Sequence, residues 1–297
     1  MTTSGHRSYS YAESLKSDIS DELINTYLVR PLGGLVVRVI YPTPITPNAV
    51  TIASTVAGLL AALLYALNVP MITIAAGVCL AVKDILDSAD GQLARAKQKF
   101  SRAGRFLDSI SDFVVNLCAM MAIFATLTVT FHNLWYVILG LLAFAGITFR
   151  VSYHVFYQTS FLHLREHYGT NRLTEEIRPE DLGADRWTLT LQRIFYGLYG
   201  WQDALMVRLD LWSRHGAALT PSQKELWYAD RIALRISGFI GLGTELWLLI
   251  LCSLANRLDV YVWINLGVMN GVLVAAVLYR RTRCAQRVRR EERSVPA

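Results

Sequence analysis

The feature that most constrains the fold of this chain is a series of six apolar stretches, each close to the length that crosses a membrane. A helix needs about 20 predominantly apolar residues to span the hydrocarbon core. The stretches are 48–67, 70–90, 106–131, 134–158, 231–255 and 260–279. Of the 297 residues 53% are hydrophobic, and the mean hydropathy of +0.33 is high for a soluble domain. The sequence therefore predicts an all-α integral membrane protein with six transmembrane helices, three of which carry polar residues that must face protein.

The charges between these stretches predict the orientation of the chain in the membrane. Three connections are short and nearly uncharged, whereas lysine and arginine concentrate at 97–105, in 159–230 and in 282–297. By the positive-inside rule, both termini lie in the cytoplasm of a multi-pass protein of a bacterial or archaeal cytoplasmic membrane. The formal charge of +6 is then explained by topology and contact with anionic membrane lipids, and no nucleic-acid partner is predicted.

Three segments of different composition follow one another along the chain. Residues 1–46 lack the apolar core of a cleavable signal peptide, so the first span is predicted to act as the insertion signal. Apolar side chains recur there every four residues, at Leu15, Ile19, Leu23 and Tyr27. This pattern predicts an amphipathic helix at the membrane interface. Residues 47–281 form the predicted six-helix membrane domain, with 159–230 as a cytoplasmic insertion containing an interfacial helix pair, and 282–297 form a basic cytoplasmic tail.

An acidic stretch, DSADGQLARAKQKFSRAGRFLDSISD, occupies residues 87–112 between the second and third predicted spans. Its residues fall on two helical faces, Asp87, Asp90, Gly91 and Ala94 on one and Gly104, Asp108 and Asp112 on the other. If the helices are antiparallel neighbours, the four carboxylates converge at their cytoplasmic ends. Carboxylates that converge in a poorly solvated place need protons or cations. All-oxygen ligands indicate Mg²⁺ or Mn²⁺, and four carboxylates suffice for two ions.

Glycines on the same two faces indicate that a bulky group approaches the helices. Glycine inside a helix costs about 1 kcal/mol relative to alanine, so Gly91 and Gly104 need a reason to be there. A nucleotide would fit, because two metal ions facing a phosphate ester can stabilise both oxygens of an in-line displacement. The alternative is a set of acids at helix ends that pair with nearby lysines and arginines.

The pattern Asp87-x-x-Asp90-Gly91-x-x-Ala94-Arg95, then eight residues, then Gly104-x-x-x-Asp108-x-x-x-Asp112, resembles the complete signature of the CDP-alcohol phosphotransferase family. Pro47-Asn48-x-x-Thr51 resembles the PNxxT element of its first transmembrane helix. The resemblance implies a six-helix membrane core, commonly a homodimer. It also implies a reaction in which a CDP-linked donor is cleaved at its diphosphate, CMP leaves, and the substituted phosphate passes to an alcohol hydroxyl.

The same resemblance implies roles for individual residues. Asp87, Asp90 and Asp108 would hold the metal ions, and Asp112 would be a further ligand candidate and the general base. Contacts to the donor are implied for Asn48, Thr51, Asp87, Gly91, Ala94, Arg95 and Gly104.

Three arginines suggest the nature of the acceptor alcohol. Arg150 lies inside an apolar span, where a buried guanidinium is costly, so a structural ion pair or snorkelling to the interface would explain it. Alternatively Arg150, Arg231 and Arg235 together bind an acceptor phosphate, which arginine can engage bidentately. This interpretation predicts a phosphorylated polyol, such as inositol phosphate or glycerol phosphate. Glu245, deep in the fifth span, is left without a firm assignment.

The predicted function is the transfer of a phosphatidyl group from CDP-diacylglycerol to an alcohol in phospholipid biosynthesis. A CDP-choline or CDP-ethanolamine donor with a lipid acceptor is an alternative within the family. A divalent-cation transporter would also need intramembrane carboxylates. Its ligands would lie near the middle of the membrane, however, whereas these aspartates cluster at one edge.

Overall fold

The computed structural model describes residues 10–11, 21–165 and 175–294, which form helices and no β-strand. The prediction of an all-α protein is confirmed. The helices are α1 (Arg30–Ile40), α2 (Pro47–Ala66), α3 (Pro70–Ala96), α4 (Arg102–Phe131), α5 (Trp135–Leu164), α6 (Arg186–Ser213), α7 (Pro221–Tyr228), α8 (Arg231–Gly238), α9 (Leu242–Leu254), α10 (Leu258–Trp263), α11 (Asn270–Tyr279) and α12 (Ala285–Ser294).

Within the described residues, five helical runs are long and apolar enough to cross a membrane. Three are α2, α4 and α5. The fourth, Arg231–Leu254, joins α8 and α9, and the fifth, Leu258–Glu291, joins α10, α11 and most of α12 through two π-helical turns. The predicted tail boundary at residue 281 therefore falls inside a helix.

The second predicted span is α3, and its composition differs from that of the other five. It has 27 residues, but Lys83, Asp84 and Asp87 interrupt its apolar part. Lys83 and Asp84 are nevertheless buried, because α3 packs against α1, α2 and α9. A helix enclosed in this way can carry charges that a lipid-facing helix could not. The total of six spans remains a prediction.

The main core lies where α2, α3, α4 and α9 meet. Leu80 of α3 and Ile123 of α4 have no solvent exposure there. The hydroxyl groups of Tyr65 and Ser253 form a buried 2.7 Å hydrogen bond between α2 and α9. Gly77 of α3 allows α9 to pack closely on α3, since a β-carbon at residue 77 would lie 2.8 Å from the Ser253 side chain.

The helical part of the N-terminal region begins before α1. Leu23 and Tyr27 of the predicted amphipathic helix lie in these first turns and are exposed, whereas Leu15 and Ile19 lie outside the described residues, so that helix remains a prediction. The helix that follows is α1. It packs on α3 through Gly33 and Gly34, beside the Gln92 side chain. The Gln92 amide donates to the backbone carbonyl of Arg30 at 2.9 Å, which fixes α1 next to the acidic end of α3.

The N-terminus of α9, which follows an interruption of the helix after α8, is capped by Glu22 from the N-terminal region of the chain. The Glu22 carboxylate accepts from the backbone N–H groups of Gly243 and Thr244 and from the Thr244 hydroxyl, at 3.2, 2.7 and 3.0 Å. Free N–H groups in the first turn of a helix favour such an anionic partner. Glu22 thus caps α9.

The predicted insertion, 159–230, contains the last residues of α5, a short 3₁₀ helix (Pro179–Gly183), α6 and α7. Helix α6 packs against both α4 and α5. Phe195 of α6 packs against Phe106 of α4 with the rings tilted at 46° and their centroids 5.1 Å apart, and Trp201 of α6 meets Phe149 of α5 edge to face at 6.1 Å. The insertion therefore lies along the end of the bundle where α4 begins.

Candidate active site

Three aspartates from two helices meet at one end of the bundle. Asp87 and Asp90 lie on α3 and Asp108 lies on α4, and each offers a carboxylate oxygen within 4.8 Å of the others. The helical spacing brings them together because α3 and α4 are joined by a turn of only a few residues. We refer to these three residues as the aspartate cluster.

Asp112 lies beside this cluster and is joined to it by Lys83. The Lys83 ammonium donates to the Asp112 carboxylate and lies 3.5 Å from an oxygen of Asp87. The Lys83 side chain is only 2% exposed, so this ion pair is shielded from water. One cation thus partly balances two of the four acids.

Side chains in the first turns of α2 also contact the aspartate cluster and its neighbour Lys83. Thr46 caps the helix by accepting from the N–H of Ala49, and Pro47 occupies the first turn, where its missing N–H has no cost. One turn later the hydroxyl of Thr51 donates to Asp90 at 2.5 Å. The Ser54 hydroxyl donates to the backbone carbonyl of Lys83 at 3.0 Å. Helix α2 therefore supports both the cluster and its lysine.

The two glycines of the signature have different surroundings. A β-carbon at Gly104 would lie 2.8 Å from Oδ1 of Asn48 and from Oγ of Ser101. A β-carbon at Gly91 would meet only the side chain of Arg95, at an ordinary contact distance of 3.5 Å. Gly104 thus permits Asn48 to approach α4, whereas space remains beside Gly91. Of the other predicted donor contacts, Ala94 and Arg95 lie partly exposed on the same helix.

The chemistry of the cluster fits a divalent cation. All its donor atoms are carboxylate oxygens, which Mg²⁺ and Mn²⁺ prefer. Oδ1 of Asp108 is buried and has no hydrogen-bond partner among the described residues. A buried carboxylate oxygen without a donor is costly unless a proton or a cation satisfies it.

Acidic residues of the insertion pair with the two arginines at the start of α4. Glu175 binds both Arg102 and Arg105, and Asp181 accepts from Arg102 at 2.6 Å. Both acids are nearly inaccessible to solvent, with side chains 4% and 2% exposed. The sequence attributed these arginines chiefly to membrane topology, and their acidic partners lie too far along the chain for a local pattern to indicate them.

Tyr199 of α6 also reaches the segment that carries the aspartates. Its hydroxyl donates to the backbone carbonyl of Ser109 at 2.7 Å, next to Asp108. Its ring meets Phe113, next to Asp112, edge to face at 6.1 Å. The sequence analysis did not identify Tyr199, because it assigned this segment to an interfacial helix pair and not to a helix packed on α4.

Arg150 requires a correction to the predicted acceptor site. Its guanidinium has no solvent exposure and lies 2.8 Å from the Glu245 carboxylate, and it donates to Oδ1 of Asn270 at 2.5 Å. Tyr261 donates to the same carboxylate at 2.7 Å, and Asn265 donates to it as well. The structural ion pair is therefore the better interpretation of Arg150, and it also accounts for Glu245.

The other two predicted acceptor arginines occupy a different environment. Arg231 and Arg235 are exposed on α8, which packs against the last turn of α5 through Leu234. Asp230 caps this helix by accepting from the N–H of Ala233 at 2.8 Å. The structure thus does not bring Arg150 together with the other two.

Two antiparallel helices of this bundle hold carboxylates at one end. Membrane proteins of this class can bind a metal cation there and place it against a phosphate ester. A family model described as CDP-alcohol phosphatidyltransferase matches residues 44–201, more than half of the chain. This protein therefore belongs to the CDP-alcohol phosphatidyltransferase family, as its signature indicated.

Curated proteins from archaea resemble parts of the chain. The bifunctional IPC transferase and DIPP synthase of Thermococcus kodakarensis is 34% identical over 102 residues, which are 34% of this chain and 22% of that protein. The archaetidylinositol phosphate synthase of Pyrococcus horikoshii is 46% identical over 68 residues, 23% of this chain and 35% of that protein. The alignments thus span only about a fifth to a third of these relatives.

Proposed function

We propose that this protein transfers a phosphatidyl group from a CDP-linked lipid, such as CDP-diacylglycerol, to a hydroxyl of a phosphorylated polyol. CMP is the other product. The observation that carries the proposal is the aspartate cluster, with Asp112 and Lys83 beside it and Thr51 bound to Asp90. Family membership supports the reaction type, because the family is defined by CDP-alcohol substrates.

Asp87, Asp90 and Asp108 would hold the divalent metal, and Asp112, which Lys83 holds beside them, is the candidate ligand of a second ion. When bound, Mg²⁺ or Mn²⁺ supplies positive charge to the diphosphate of the donor. Thr51 holds the Asp90 carboxylate in a fixed orientation, as partners of metal ligands commonly do. Arg95 borders the space beside Gly91, and Asn48 lies against Gly104. We assign the CDP moiety to this end of the bundle, with Asn48, Ala94 and Arg95 as its contacts.

Asp112 is the proposed general base. The acceptor oxygen attacks the phosphorus atom that carries the lipid, the bond from that phosphorus to the CMP oxygen breaks, and the hydroxyl proton passes to a carboxylate oxygen of Asp112. The Lys83 ammonium, shielded from water, holds Asp112 in place and balances its charge. Asp112 is separated from the three mutually close acids by Lys83, which supports a role different from theirs.

A phosphorylated polyol is the acceptor that we favour. The name of the Pyrococcus horikoshii relative describes the synthesis of an inositol phosphate lipid, and Arg231 and Arg235 leave two exposed guanidinium groups on α8. Arg150 is left out of this proposal because its charge is already paired. By the positive-inside rule, the active site and both termini lie in the cytoplasm. A homodimer is expected from the family resemblance.

The test is an acceptor panel with the purified full-length protein in lipid nanodiscs. CDP-diacylglycerol is supplied with inositol phosphate, glycerol 3-phosphate, free inositol or serine, and CMP release and the lipid product are measured. We expect product with a phosphorylated polyol, loss of product with EDTA, and recovery with Mg²⁺ or Mn²⁺. Product from free alcohols alone, or from CDP-choline and diacylglycerol, would overturn the acceptor or donor assignment.

The two exposed arginines can be tested in the same assay. Arg231→Gln and Arg235→Gln should raise the KM for the acceptor while leaving that for the donor unchanged. Arg193→Gln, which removes an exposed arginine from α6, is the matched control. An unchanged acceptor KM in both α8 variants would remove these residues from the proposed site.

A further inference from the structure

One face of α6 carries a stripe of large apolar side chains that remain partly exposed, although Phe149 and Arg281 contact two of them. The stripe consists of Trp187, Ile194, Trp201, Leu205 and Trp212. Their spacing of seven or four residues aligns them along one line of the helix. Their side chains are between 36% and 58% exposed. Helix α6 is not among the runs that could cross a membrane, so the stripe fits a helix lying in the membrane interface.

A basic groove lies at the end of α6, against the C-terminal helix. It is a cavity of about 240 Å³ lined by His215, Arg281, Thr282, Ala285, Gln286 and Arg289. Two of these side chains, Arg281 and Arg289, are always cationic. The residues that line the groove include no carboxylate.

Trp212 connects the stripe to the groove. The Arg281 guanidinium lies 3.6 Å from the centre of a Trp212 ring and donates to the Trp212 backbone carbonyl at 2.6 Å. These two contacts hold Arg281 at the rim of the groove while leaving further N–H groups for a ligand. A fixed guanidinium is well suited to bind a phosphate.

We infer that the groove binds the phosphate of an anionic phospholipid whose acyl chains lie along the stripe. The apolar stripe favours a lipid over a free phosphate, because it offers a surface that only acyl chains or a membrane would cover. Tryptophan and arginine side by side are typical of the headgroup region. This site is separate from the aspartate cluster and does not depend on the proposed reaction. It gives the insertion a function, the capture of an anionic lipid next to the bundle.

The experiment is native mass spectrometry of the full-length protein released from nanodiscs of phosphatidylcholine mixed with phosphatidylglycerol. The variant Arg281→Gln/Arg289→Gln removes both groove arginines. We expect it to retain phosphatidylglycerol at least about tenfold less strongly, since each basic residue contributes about 1 kcal/mol at an anionic surface. Retention of phosphatidylcholine should not change.

The matched control is Arg283→Gln/Arg290→Gln, which removes two exposed charges from the same helical run outside the groove. It should retain phosphatidylglycerol as the unmodified protein does. If both double variants lose phosphatidylglycerol equally, the basic residues attract the lipid nonspecifically and the proposed site is wrong. If the groove variant loses none, the proposed site is wrong as well. Soluble glycerol 3-phosphate is the competitor, and its displacement of the lipid at comparable concentration would show a free-phosphate site instead. Thermal unfolding should be the same in all variants, so that a folding defect is recognised.

Discussion

Two groups of charged residues in the bundle differ in their balance of charge. In the Arg150 group, Arg150 and Glu245 neutralise each other and Asn270, Tyr261 and Asn265 hydrogen-bond to them, although Nε of Arg150 and Oδ1 of Asn265 have no partner among the described residues. The aspartate cluster, taken with Asp112 and Lys83, contains four acids and one base. Oδ1 of Asp108 has no hydrogen-bond donor in the described part of the chain.

This difference in charge balance distinguishes residues that support the fold from residues that take part in the reaction. Burying a charge is costly, so a self-neutralised group can be explained by stability or by fixing the register of helices. An excess of one sign of charge at a buried place has no such explanation and indicates a missing partner. By this criterion Arg150 belongs to the scaffold and the aspartate cluster to the reaction.

The largest effect is expected from removing one acid of the cluster. Asp108→Asn should lower CMP release by about 10³-fold or more, because several kcal/mol of charge stabilisation depend on the metal. It should leave the thermal unfolding temperature unchanged or higher, because repulsion between carboxylates is relieved. CMP release and unfolding in detergent are the measurements. Loss of activity that merely follows loss of folding would place Asp108 in the scaffold.

Asp112→Asn should reduce turnover by about 10²- to 10⁴-fold, the usual contribution of a general base. Binding of the CDP donor should largely survive. Asp90→Asn, the comparison variant, should weaken metal-dependent donor binding as well. Single-turnover kinetics and equilibrium binding of a CDP donor distinguish the two. If both variants lose donor affinity equally, Asp112 is chiefly a metal ligand.

Breaking the Arg150 group should affect stability rather than catalysis. Arg150→Met leaves Glu245 buried without its partner, which costs about 3–5 kcal/mol of folding free energy. The paired change Arg150→Met/Glu245→Leu should recover most of that loss. Thermal unfolding checks both, and the acceptor KM of the paired variant should be unchanged. A raised acceptor KM in a stable paired variant would return Arg150 to the acceptor site.

Thr51→Val should have a smaller effect, because it removes a partner of a metal ligand and not the ligand. We expect about tenfold more Mg²⁺ to be needed for half-maximal CMP release. Thr55→Val is the control, since the Thr55 hydroxyl donates only to the carbonyl of Thr51 within the same helix. An equal shift in both variants would indicate a general disturbance of α2.

The smallest effect concerns an acid outside both groups. Burial, with a further contribution from Glu175, raises the pKa of Asp203 on α6 from 3.8 to about 7. Folding therefore disfavours its ionised form, and this penalty appears as pH rises above 4 and is complete above 7. Asp203→Asn should raise the unfolding temperature by a few degrees at pH 8 and have little effect near pH 4. An identical effect at both pH values would contradict the shift.

The contrast between the two groups also explains what could be read from the sequence. Asp87, Asp90 and Asp108 were predicted to converge because helical periodicity and one short turn determine their positions. Arg150 and Glu245 are 95 residues apart, and no local rule pairs them. Two opposite charges in separate apolar spans are a signal for such a pair, but only packing identifies the partners. Tyr199 depends in the same way on how α6 packs on α4.

The cap that Glu22 places on α9 has a consequence for biogenesis. Its hydrogen bonds to Thr244 join positions 222 residues apart. The N-terminal segment therefore cannot reach its final position until the helical run Arg231–Leu254 has been synthesised and inserted. Domains generally begin to fold during synthesis, and until then Glu22 remains without its helix terminus. Docking of the N-terminus is therefore a late step of assembly. A ribosome-bound chain that ends before residue 242 would lack it.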